Sequence, residues 1–162
     1  MHDYRHRGQI KITDNLYKNN GDDDMAYDPN NIFARILRRE LPCVEIYEDE
    51  DVLSFLDIMP QVEGHTLVIP KEAACDILDL SAESASRLIV ATQRIARAIK
   101  SALNPPGIMV MQLNGTAAGQ TVPHIHFHIL PRHEGIDMRL HARQMVDPKV
   151  LEPVAARIRL AL

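Results

Sequence analysis

The sequence predicts one α+β domain built on a mainly antiparallel sheet, and three observations carry that prediction. Short runs at 44–48, 52–57, 64–70, 108–113 and 122–130 read as strands, several with the two-residue alternation of a half-buried surface. Ser81 to Leu103 holds neither glycine nor proline and sets Leu88, Thr92, Ile95, Ala96, Ile99 and Leu103 along one helical face. The length, 162 residues, suits a single compact core. Strands in runs, broken by one long helix, are the α+β pattern.

Residues 1–30 differ from the rest. Asn19-Asn20-Gly21-Asp22-Asp23-Asp24 and few large apolar side chains mark a polar leader, weakly packed or mobile, ahead of a domain at 31–162. With a second methionine at Met25, residues 1–24 are expected to be dispensable. Asn31 then caps a short helix carrying Ile32, Phe33, Ile36 and Leu37, and Leu41-Pro42 stops it. Val44–Glu48 and Val52–Asp57 flank an acidic turn at 49–51, and Gly64–Pro70 forms a third strand ended by its proline. Ser81 caps the long helix and Asn104-Pro105-Pro106-Gly107 ends it. Strands four and five follow, joined by the small-residue loop 114–120. A last helix starts at Asp147-Pro148, presents Leu151, Val154, Ile158 and Leu162, and is expected to break near Pro153.

Composition excludes several classes. Hydrophobic residues at 46% argue against global disorder, and a net charge of −4 is a poor footprint for nucleic acid. No apolar run is long enough for a membrane span, and the first thirty residues lack a signal-peptide core. Cys43 and Cys75 form no metal-spacing or redox pair, so a reduced, cytoplasmic setting is the simplest reading.

The histidines carry the chemistry. His124, His126 and His128 share one face of a strand, and Ile125, Phe127 and Ile129 the other. Three readings stand open. A strand with a histidine-rich polar side is the plainest, but three imidazoles without partners are costly to bury. A metal site is the second; on a straight strand His124 and His128 lie about 13 Å apart, which hinders a shared ion. Covalent catalysis by a neutral imidazole is the third. The adjoining Asn114-Gly115 and Gly119-Gln120-Thr121 segment could bring backbone and side-chain donors close to a phosphate.

The run Gly119-Gln120-Thr121-Val122-Pro123-His124-Ile125-His126-Phe127-His128-Ile129-Leu130-Pro131-Arg132 resembles the signature of the histidine-triad (HIT) nucleotide hydrolases and transferases. Ile32-Phe33, Tyr47-Glu48-Asp49, Phe55-Leu56-Asp57-Ile58 and Gly64-His65-Thr66-Leu67-Val68-Ile69-Pro70-Lys71 stand in that family's order, so the likeness spans about residues 30–133. It implies a HIT-like half-barrel with a five-stranded sheet, usually in a homodimer. It implies that His126 is the nucleophile that attacks an α-phosphorus, with His124, His128 and His65 as its supports. Asn114, Gly119, Gln120 and Thr121 match contacts to the phosphate and leaving group, Asp57 the ribose carboxylate, and Ile32, Phe33, Phe55 and Ile58 the base pocket. The ligand implied is a nucleotide and the reaction needs no metal or other cofactor. Cleavage of a nucleoside phosphoramidate is the expected activity; hydrolysis of dinucleoside polyphosphates and a purely nucleotide-responsive binding role are the alternatives.

One departure is informative. Some bacterial relatives hold a structural zinc through cysteines on either side of the Ile-Phe pair. Here those positions are Asn31 and Ala34, and Lys71-Glu72-Ala73-Ala74 lacks the usual histidine, so no structural zinc is expected. The apolar strand Ile108–Met111 and the helix 81–103 offer surface for a symmetric homodimer.

Overall fold

The structure, a computed structural model, describes residues 27–135 and 144–162. Its elements run α1 (Ile32–Leu37), β1 (Val44–Glu48), β2 (Val52–Leu56), β3 (Thr66–Pro70), α2 (Ala82–Leu103), β4 (Gly107–Gln112), β5 (Phe127–Arg132) and α3 (Pro148–Arg159), with a 3-10 turn at Thr116–Ala118. Five strands form one sheet in the order β1-β2-β3-β5-β4, every pair antiparallel. β1 to β3 is a meander. After α2 the chain lays down β4 at the far edge, and β5 returns between β4 and β3.

Both sheet faces are covered at the centre, which is why every residue of β2 and β3 is buried. One face carries Val44, Ile46, Val52, Leu56, Val68, Ile125 and Ile129 against Leu88, Ile95 and Ile99 of α2 and Leu151, Ala155 and Ile158 of α3. The other carries Leu53, Phe55, Leu67 and Ile69 against Phe33 and Ile36 of α1. The Ser81 hydroxyl accepts from the Ser84 N–H at the start of α2, and Asn104 ends the helix in the left-handed region at φ 48°.

The fifth strand corrects the sequence reading. It begins at Phe127, not at Val122. Pro123 has no N–H for a ladder, and the Ile125 N–H donates to the Ala74 carbonyl in the loop before α2. His124 and His126 therefore lie outside the strand, and of the three only His128 is on it. The last helix is also unbroken through Pro153. A proline inside it forfeits one i−4 bond, while Leu151, Ala155 and Ile158 keep both sides docked.

Residues 1–26, most of the expected leader, lie outside the described residues. Its last four, Tyr27 to Asn30, are joined to the domain: Asn31 donates from backbone and side chain to the Asp28 carbonyl, and Arg38 donates to the Pro29 carbonyl at 2.6 Å.

The β2–β3 connection ends at Gly64, whose φ is 81° and where a Cβ would lie 2.4 Å from Leu103 Cδ1 and 3.2 Å from Pro131 Cγ. Gly64→Ala is expected to cost about 1–3 kcal/mol in urea unfolding, through strain and close contact together. An unchanged midpoint would refute that.

Candidate active site

Three histidines converge where β3 and β5 pair, on the sheet face that holds α1. Leu67 is in register with His128; just ahead of β5, Ile125 packs with Ile129 in the core against α2 and the His126 ring lies on Phe33. His126 and His128 have ring centroids 4.8 Å apart, and Phe33 meets the His126 ring edge-on at 5.0 Å. His65 enters from the start of β3, where Asp57 at the end of β2 donates its N–H to the His65 carbonyl at 3.0 Å. His124, although off the strand, stays beside Phe33 at 6.3 Å.

The hydrogen bonds assign the tautomers of two rings. His126 Nδ1 is 2.7 Å from the His124 carbonyl, which can only accept, so Nδ1 bears the proton and Nε2 keeps its lone pair. His124 Nε2 faces the Pro70 carbonyl at 2.9 Å and is likewise protonated, which leaves Nδ1 to accept from the Tyr27 hydroxyl at 3.0 Å. Burial holds the rings neutral. It pushes His126 and His65 down from the ordinary 6.5 to about 4, and it lowers His124 against the opposing pull of the Pro70 carbonyl.

His65 and His128 form a second unit. His65 Nε2 and His128 Nδ1 are 2.9 Å apart, and His65 Nδ1 faces the Gln61 N–H at 3.2 Å and Asp57 Oδ2 at 3.4 Å. Burial raises Asp57 to about 6, opposed by the Met59 N–H on Oδ1. The Gln61 N–H can only donate, so His65 Nδ1 accepts, its Nε2–H donates to His128 Nδ1, and neutral His128 carries its proton on Nε2. Asp57, His65 and His128 also bring one donor atom each within 4.8 Å. An ion there would displace the proton shared by the two imidazoles.

The loop after β4 takes its shape from two glycines, and most of its polar groups are already paired. Gly115 and Gly119 have φ of 79° and 94°, conformations that suit glycine. The Gly119 N–H is engaged by the Thr116 carbonyl, so this residue contributes conformation and open approach. Gln120 is 3% exposed; its Oε1 accepts the Gly115 N–H and its Nε2 donates to the Cys75 and Val122 carbonyls. It braces the loop from inside. Asn114 Oδ1 accepts from the Ile77 N–H and from Gln112 Nε2, while its Nδ2 donates to Gln112 Oε1. One Nδ2 proton of Asn114 is left over as a donor, and Thr121 is exposed. Of the four apolar candidates, Phe33 and Phe55 are buried and in edge contact at 5.6 Å, whereas Ile32 and Ile58 are exposed.

Asn31 and Ala34, where no zinc ligands were expected, serve α1: the Asn31 Oδ1 accepts from the Phe33 and Ala34 N–H groups. The sequence reading missed Tyr27, Gln61 and Gln112. Tyr27 contacts a residue 97 positions away, and no local pattern announces that. Gln112 and Asn114 sit two apart, a spacing that could have signalled a cross-bonded amide pair.

Comparison with known proteins gives the family and the fold. The family model described as "HIT domain" matches residues 38–135. The chain is 42% identical over 101 residues to the adenosine 5′-monophosphoramidase hnt1 of Schizosaccharomyces pombe, covering 62% of this chain and 73% of that protein. Among solved structures, a Hit-like protein involved in cell-cycle regulation from Bartonella henselae is 50% identical with a TM-score of 0.79, covering 85% of this chain and all of that one. A protein called a hypothetical histidine triad nucleotide-binding protein, from Sulfolobus tokodaii strain7, is 31% identical with a TM-score of 0.73, over 80% of this chain and 89% of that one. With the five-stranded sheet, the three clustered imidazoles and the glycine loop on the same scaffold, the chain belongs to the HIT domain family.

Proposed function

We propose that the protein binds a nucleotide and cleaves at its α-phosphate, acting as a nucleoside phosphoramidase. The observation that carries this is the 2.7 Å bond from His126 Nδ1–H to the His124 carbonyl, which leaves Nε2 as an unprotonated nucleophile in a ring that burial keeps neutral. Nε2 attacks phosphorus, an N–P bond forms and the bond to the leaving amine breaks. His128 gives the departing nitrogen its Nε2 proton, with its Nδ1 held by the Nε2–H of His65. The imidazolium that forms keeps its Nδ1–H on the carbonyl. Water then attacks phosphorus and gives a proton back to His128 Nε2; the N–P bond breaks, the nucleoside monophosphate leaves and His126 Nε2 regains its lone pair. Asn114 Nδ2–H and the loop around Thr121 stabilise the phosphoryl oxygens, and Asp57 accepts from the ribose hydroxyls. The fission-yeast relative's being an adenosine 5′-monophosphoramidase supports the amine leaving group.

Competing an adenosine 5′-phosphoramidate against a diadenosine polyphosphate on the purified protein tests the reading. Preferred turnover of the phosphoramidate is expected. Preference for the dinucleotide reassigns the leaving group, and nucleotide binding without turnover of either makes the protein a binding module.

The same reading includes a homodimer. β4 is a sheet edge with Val110 exposed, and α2 leaves Ile89 and Val90 exposed as well. Light scattering at micromolar concentration is expected to give the mass of two chains, and the mass of one would overturn the assignment. Cys43 and Cys75 are unbonded, and the compartment we assign is the reducing cytoplasm. Among the described residues no helix is long and apolar enough to cross a membrane.

A further inference from the structure

Tyr27 lies outside every helix and strand, yet its hydroxyl reaches His124 and its ring packs on that imidazole with centroids 5.6 Å apart. The far side of His124 settles the direction of this bond. Because the Pro70 carbonyl can only accept, His124 Nε2 donates there, and Nδ1 of the neutral ring must accept from the Tyr27 O–H. The two ring nitrogens thus tie one side chain to two remote parts of the chain, and both ends matter to its backbone.

That backbone holds the nucleophile. The His124 carbonyl is the acceptor for His126 Nδ1–H, and it belongs to a segment with no ladder of its own, since β5 starts at Phe127. Single bonds fasten the segment: His124 N–H to the Val122 carbonyl, Ile125 N–H to the Ala74 carbonyl, Asn31 Nδ2 to the Pro123 carbonyl at 3.5 Å, and the two ends of the His124 ring. Losing the Tyr27 end frees the ring to rock about its Pro70 contact, and the peptide that aims His126 moves with it.

We propose that Tyr27 is a positioning residue for His126, fixing the His124 ring and, through the 124 carbonyl, the tautomer and direction of the nucleophile; this rests on His126 being the nucleophile. The hydroxyl acts through His124 and is given no contact with the substrate.

The test is Tyr27→Phe in the full chain, which keeps the ring packing and removes only the hydroxyl. With adenosine 5′-phosphoramidate, kcat is expected to fall about tenfold while KM stays within about twofold, because orientation is lost and binding is not. The melting midpoint should drop by about 4 °C or less. In histidine-labelled ¹⁵N spectra, His124 Nδ1 should shift toward an imidazole nitrogen without a donor, and His126, purely Nδ1-protonated in the parent, should populate both tautomers. Unchanged kcat, or a kcat loss matched by loss of folded protein with unaltered histidine spectra, would overturn the proposal. His126→Gly run in parallel separates the two layers. If it is inactive while Tyr27→Phe turns over normally, Tyr27 alone is misassigned. If His126→Gly keeps near-normal turnover, the nucleophile is wrong, and the positioning of it by Tyr27 falls as well.

Discussion

His126→Gly should lower turnover by at least about a thousandfold while nucleotide affinity stays within about tenfold, roughly 1.4 kcal/mol. The asymmetry follows from where the ring sits. It touches Phe33 and His128 and makes no part of the apolar face beneath, which Ile125 and Ile129 supply against α2. On the proposed route its removal takes away the group that forms the N–P bond, and no neighbouring imidazole presents an equivalent lone pair. His124 is turned to the Pro70 carbonyl and Tyr27, and His128 is engaged with His65. His124 and His128 substitutions should be milder, since the proposed route has those rings orient and transfer protons. Single-turnover kinetics and equilibrium titration with a nucleoside monophosphate measure the two quantities separately. Near-normal turnover of the glycine variant would refute the covalent route, and loss of binding together with activity would make His126 a binding residue.

Mild acid should destabilise the fold. His65 and His126 titrate near 4 when folded, against about 6.5 in the unfolded chain. Between those values the unfolded state binds the extra protons, so stability falls as pH falls, by about 3 kcal/mol for each ring at roughly 1.4 kcal/mol per pH unit. His124, lowered in the same direction, adds to the loss. Asp57 works the other way. Its folded value is near 6 and its ordinary value 3.8, so the folded state takes up a proton first and regains about 3 kcal/mol as pH drops through 6. Two rings against one carboxyl leave a net loss of at least about 3 kcal/mol between pH 6.5 and 4. Urea unfolding at pH 7 and pH 4.5 should show the midpoint moving down on acidification. A flat or rising midpoint would mean that the rings are charged in the folded state.

What the sequence made legible depended on whether the deciding interaction was local. α2 was readable because its cap, its stripe from Leu88 to Ile99 and its stop at Asn104-Pro105 all lie within a single stretch. The five strands were readable for a similar reason, since their alternation is local, whereas His65 was joined to the other histidines only through the family resemblance. The start of β5 was not, because the Ile125 N–H is claimed by Ala74, fifty residues back in the chain. Gln120 looked like a loop donor, yet its amide is taken up by Gly115, Cys75 and Val122. Tyr27 read as leader because nothing within ten residues of it says that its hydroxyl ends on an imidazole.

The pairing of β3 with β5 has a consequence for how the molecule comes into being. The strands β1–β3 can assemble as a meander and β4–β5 as a separate pair, each closing only short loops. His65 and His128 are 63 residues apart in the chain, and Leu67 meets His128 only when the whole of α2 and β4 has been looped out between them. Closing such a loop costs entropy that the local hairpins avoid, so this contact forms late. Neither half contains the whole proposed site: one holds Asp57 and His65, the other His126, His128 and the glycine loop. During refolding, turnover should therefore return together with the last cooperative step, with no earlier species able to hydrolyse a nucleotide.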